Sequence, residues 1–159
     1  MDMRMQSERE LNQSQFYVSL CRKAFYFLQA SGYSEFTVTE NVLASGVIIL
    51  AAKSSGGTRT IEVHFEFLGA AVNVFLLDHS LARERRYAFD LLLRVYNEKM
   101  TPANNRFERL RMGVDEWFEL RAIRLGVLLE VYADDFVRGG EGVMSVLEEE
   151  RKRASDAQR

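Results

Sequence analysis

From Thr60 to Phe67 apolar and polar residues alternate without a break, as Thr-Ile-Glu-Val-His-Phe-Glu-Phe. A period of two marks a β-strand with one face on a core and the other face elsewhere. The polar side of this strand is Glu62, His64 and Glu66. Gly46 to Lys53 and Ala71 to Leu77 read as flanking strands, and Phe36 to Thr39 as a short extra one. Ser54-Ser-Gly-Gly57 and Gly69-Ala70 are tight-turn signals, so successive strands form an antiparallel meander. With Gly56-Gly57 and Gly69-Ala70 as two-residue loops, Ile48, Leu50, Val63, Phe65, Phe67, Val72, Val74 and Leu76 share one apolar face, the core side. The other face then holds the rows Val47–Glu66–Asn73, Ile49–His64–Phe75 and Ala51–Glu62–Leu77. A slip in either turn changes these rows.

Elsewhere the apolar spacing is three and four, which predicts helices. The first runs from about Ser7 to Ser31, with Tyr17, Leu20, Cys21, Ala24, Phe25 and Leu28 on its buried face and Gly32 as terminator. A second, capped by His79 or Ser80, extends to about Lys99 on the stripe Tyr87, Leu91, Leu92 and Val95. Thr101-Pro102 breaks it, and Ala103 to Gly113 is a polar, Arg-rich connection. Asp115 caps a long helix to about Val137, inside which Gly126 marks close packing or a kink. Gly139-Gly140 ends it, and Val143 to Ala154 forms the last helix. The expected fold is α+β: an N-terminal helix, a three- to four-stranded antiparallel meander, and a helical C-terminal half packed on the sheet. No linker, repeat or low-complexity tract divides residues 1–159, so one domain is expected, with flexible ends at 1–6 and 155–159.

Composition narrows the function classes. At 159 residues the chain can bury about 70% of its unfolded surface. Its net charge of −2 argues against an electrostatic nucleic-acid binder. Residues 83–124 are mildly basic, but acids are interleaved, as on solvated helix faces. The single cysteine, Cys21, allows no internal disulfide and lies among apolar residues, where it reads as a small buried hydrophobe. The first ten residues contain no apolar stretch of a signal peptide, and no apolar run approaches the ~20 residues of a membrane span. A cytoplasmic protein is expected, with no nucleic-acid or membrane partner.

Little in the chain points to catalysis. Phosphate-loop, dinucleotide-binding, zinc-protease and serine-hydrolase motifs are all missing from the sequence, and two histidines do not fill a multi-histidine zinc site. No metal or cofactor is therefore expected. Asp78-His79-Ser80 could be a catalytic set at a strand end, but Asp78 and Ser80 read better as local caps. Glu62, His64 and Glu66 stand about 7 Å apart along one strand, a spacing open to a metal or to paired carboxylates, and more simply to a wet sheet face. A contact surface needs no motif. Glu62, His64, Glu66 and Asn73 lie among Val47, Ile49, Phe75 and Leu77, a mixed apolar and acidic patch of the kind that binds proteins. Whether a helix covers that face decides between contact surface and interior.

A leading helix, the segment Val42-Leu-Ala-Ser-Gly46 entering a meander, and a helical C-terminal half with Tyr132-Ala-Asp-Asp-Phe-Val-Arg-Gly139 resemble small bacterial immunity proteins of polymorphic-toxin and contact-dependent inhibition systems. The resemblance implies a non-catalytic cytoplasmic protein that binds and neutralises one cognate toxin domain, with an acidic face opposing a basic toxin. On that reading the partner-binding residues are Glu62, His64, Glu66, Asn73 and Phe75, then Asp134 and Asp135. The alternative is a secretion-type chaperone, a homodimer holding an extended effector segment against a groove or a free sheet edge such as Ala71 to Leu77. A small enzyme is a third option.

Overall fold

A computed structural model describes residues 3–96 and 112–158, with side chains from Asn12 onward. A helix α1 (Met3–Ala24) and a single helical turn α2 (Phe27–Ala30) precede five strands: β1 (Thr37–Val42), β2 (Ile48–Gly56), β3 (Arg59–Glu66), β4 (Ala71–Asp78) and β5 (Arg85–Ala88). Four helices follow, α3 (Phe89–Val95), α4 (Val114–Tyr132), α5 (Asp134–Val137) and α6 (Gly142–Ala157). The strands pair antiparallel in chain order, β1-β2-β3-β4-β5. The α+β meander expected from the sequence is therefore present, with one strand more than the upper expectation.

The expected core face holds. Leu50, Val63, Phe65, Val72, Val74 and Leu76 are buried, and Phe67 packs partly against them. Tyr17 of α1 and Phe118 of α4 meet the Phe65 ring at centroid distances of 4.8 and 5.5 Å. Gly126 brings α1 and α4 together. A Cβ there would lie 1.9 Å from the Ala24 carbonyl oxygen, so the close-packing reading of this glycine is the right one. Ile48 departs from expectation: it is on the core side but 43% exposed and outside the core cluster.

Both turns differ from expectation. The first loop is Gly57-Thr58, since Gly56 pairs with Arg59. Gly57 takes the positive φ, +60°, that the first position of such a loop favours. Gly56 stays in the strand because the Tyr33 ring lies on it: a Cβ would come within 2.5 Å of that ring. The second turn uses four residues, Phe67 to Ala70, between the Glu66–Ala71 pair. Each correction moves the pairing by two positions, so every side chain keeps its face while the rows slide.

The helix expected from His79 or Ser80 to about Lys99 begins only at Phe89, and residues 79–88 are not helical. Asp78 accepts hydrogen bonds from the backbone N–H and hydroxyl of Ser80, both at 3.0 Å, which reverses the chain instead of capping a helix. Arg85 then pairs with Asp78, and β5 forms along β4. The β4 edge expected to be free is covered by β5 from Phe75 to Asp78. The expected breaker Thr101-Pro102 and most of the Arg-rich connection lie outside the described residues. Asp115 does not cap α4. Gly113 holds that position, and Asp115 lies in the first turn, where a carboxylate suits the helix dipole.

Arg59 ties β3 to the C-terminal helices. Its side chain is buried and donates to the Phe136 and Gly140 carbonyls at 2.8 and 2.6 Å. Its guanidinium also lies 4.5 Å from the Phe136 ring centroid. The segment Tyr132 to Gly139 is thus a structural latch, with Gly139 ending α5 at a φ of +90°.

Candidate functional site

Every buried apolar side chain of the described helices belongs to the cluster on the core face. Ala51 and Leu77, on the opposite face, are buried but stand outside that cluster. Among the described residues no helix covers the face that holds Glu62, His64 and Glu66. The observed rows are Ile49–Glu66–Ala71, Ala51–His64–Asn73 and Lys53–Glu62–Phe75–Ala88. Ile49, His64, Glu66, Asn73 and Phe75 are all half-buried there.

Glu62 is the centre of this face. Its side chain is only 6% exposed although no described helix lies over it. Three cationic or ionisable groups enclose it. Arg86 donates from both terminal nitrogens, at 3.3 and 3.4 Å, the Lys53 ammonium lies at 3.8 Å, and His64 Nε2 hydrogen-bonds the carboxylate directly. Burial alone would raise the Glu62 pKa. The His64 hydrogen bond and the Arg86 charge outweigh it and hold the carboxyl below its ordinary value. Phe75 completes the group: the Arg86 guanidinium sits 4.3 Å over its ring, and the His64 ring lies 4.7 Å away.

The electrostatics differ from the acidic patch expected. Lys53 and Arg86 balance Glu62 and Glu66, and the Glu62 charge is satisfied internally. Glu66 makes no ion pair among the described residues and is the free acid of the face. Sequence reasoning missed both cations. Lys53 opposes Glu62 only once the turn is placed at Gly57-Thr58, and Arg86 arrives on a strand read as helix. Arg85-Arg-Tyr-Ala88 carries no period-two pattern, two polar residues being followed by two apolar ones, so nothing in the sequence signals β5.

Asp134 and Asp135 are not part of this group. They begin α5, whose buried residues Phe136 and Val137 join the core on the other side of the sheet. Asp134 accepts from Arg138 at 3.0 Å, and Asp135 accepts the Val143 N–H at 3.1 Å, at the start of α6. Asp135 is thus a helix-start ligand, enclosed by Gly140 and Gly142. Asp78 and His79 also diverge. Asp78 is fully buried and paired with Arg85, while His79 is exposed with Nε2 3.2 Å from the Thr60 hydroxyl. They do not form an acid–base pair. Cys21 is buried, and burial pushes its thiol well above the ordinary range, so it is no nucleophile. No described helix is long and apolar enough to cross a membrane. No family model, curated protein or solved structure matches the chain.

Proposed function

We propose that this chain is a non-catalytic protein-binding protein that holds its partner on the open face of the sheet. The observation that carries the reading is the face itself. Ile49, His64, Glu66, Asn73 and Phe75 are partly exposed side by side on three paired strands with no described helix above them. Strands hold such side chains more rigidly than loops do, which lowers the ordering cost of association. An aromatic ring with a guanidinium stacked on it, ringed by polar groups, is the composition favoured at interface centres.

The narrower proposal is an immunity protein that neutralises a bacterial toxin domain. The layout of helix, meander and helical C-terminal half supports it. The charge-balanced face makes Phe75, His64 and Asn73 the anchors, with Glu66 as the acid that faces a basic partner. The test is co-expression with the product of the neighbouring upstream gene. A one-to-one complex with nanomolar affinity, and loss of the partner's toxicity, is the expected result. A neighbour that is no toxin, together with no complex on co-purification, defeats the immunity reading.

A further inference from the structure

The outer edge of β1 is an unpaired row of backbone hydrogen-bonding groups with a defined chemical preference. β1 pairs only with β2, and the Leu43 N–H donates to the Val47 carbonyl at 2.9 Å in the turn between them. Hydrogen-bonded pairs alternate along an antiparallel ladder, so Asn41, Thr39 and Thr37 also point their backbone groups at β2. Val38, Glu40 and Val42 therefore direct N–H and C=O away from the sheet, and none of these groups has a partner among the described residues. Natural edges are blunted by charged side chains, lysine above all, or by proline, bulges or cover. β1, Thr-Val-Thr-Glu-Asn-Val, has neither lysine nor proline and a single charge, Glu40; its register is unbroken, and five of its six residues are exposed.

The same three residues share the core side of the sheet. Val42 is 65% exposed and lies opposite Ile48, itself 43% exposed, next to exposed Leu43. Glu40, between two valines, makes no ion pair among the described residues. A second copy of β1 cannot satisfy it, because β1 contains no cation and a pairing centred on Glu40 sets the two carboxylates against each other.

We infer that the β1 edge accepts an extended segment of another protein, added antiparallel as a sixth strand, with Lys or Arg opposite Glu40 and apolar residues two positions to either side. The inference rests on the binding reading above only in that the occupant is a protein. Its surface is separate from the Phe75 face.

The probe is the synthetic peptide acetyl-Thr-Val-Thr-Lys-Thr-Val-Thr-amide, titrated into the isotopically labelled full chain and followed by backbone amide shifts. Saturable shifts at Val38, Glu40 and Val42 are expected. A peptide with Glu in place of Lys should bind about threefold or more weakly, and Glu40→Lys should reverse that order. Val42→Pro removes an outward N–H without touching the β1–β2 bonds, and should abolish binding with the amide spectrum otherwise retained. Phe75→Ala should leave the peptide titration unchanged, which separates failure here from failure of the open-face reading. No saturable shift in residues 37–42, equal affinity for the two peptides, or a dimer of the free chain with these amides protected would each overturn the inference.

Discussion

The two faces of the sheet are built by the same strands, with the same alternation, and are completed in opposite ways. On one face Phe65 is fully buried beneath Tyr17 and Phe118, supplied by helices. On the other Phe75 lies partly exposed between Arg86 and His64, supplied by the sheet itself. A face that is sealed by helices can be wholly apolar. The face without a described helix over it keeps its buried carboxylate, Glu62, by surrounding it with Lys53, His64 and Arg86. Alternation identifies the two sides, but the packing over each sets how deeply it is buried.

The largest effect that can break this contrast is a pair of truncations. Phe65→Ala should cost about 3–5 kcal/mol in denaturant unfolding, as a large core truncation does. Phe75→Ala should cost about 1 kcal/mol, because water can replace part of what the ring contacts. Equal losses would mean that both faces are interior. Next comes Glu62→Ala. It should cost about 1 kcal/mol, since Lys53 and Arg86, 50% and 41% exposed, can turn to solvent. A loss of several kcal/mol would mean that the cations are trapped.

A smaller effect should appear in acid. Glu62 and Asp78 are each subject to burial, which raises their pKa, and to stronger opposing partners, which bring it below the ordinary value. A carboxyl depressed in the folded state adds stability that is present above its unfolded pKa and is lost as pH falls through the folded one. Stability should therefore decline below about pH 4.5, the ordinary glutamate value, and Glu62→Gln should decline less steeply. Unchanged steepness would remove Glu62 from the account. The smallest expected signal is at Cys21: a thiol reagent should leave it unmodified in the native protein and label it only in denaturant, whereas rapid native labelling would contradict its burial.

Much of the fold was legible because periodicity survives errors of register. The loops at Gly57-Thr58 and Phe67 to Ala70 shift the pairing by two positions, and two is the side-chain period, so Leu50, Val63, Phe65 and Val74 kept their face. The rows did not survive, and with them went the partner of Glu62. The reason lies outside the local sequence: Gly56 is held in the strand by the Tyr33 ring. β5 was illegible for a similar reason, since four residues carry too little pattern and its anchor is the buried Asp78–Arg85 pair. Glu62, His64, Glu66, Asn73 and Phe75 were brought to one face as read. Asp134 and Asp135 were not, because two adjacent acids at a helix start look the same whether they cap or bind.

The open face is tested most directly by titration calorimetry of the neighbouring gene's product against the wild-type chain and Phe75→Ala. The account predicts a one-to-one nanomolar complex that Phe75→Ala weakens by about tenfold or more, or 1.4 kcal/mol, while the variant's circular dichroism is unchanged. Undiminished affinity in a folded Phe75→Ala protein would contradict it.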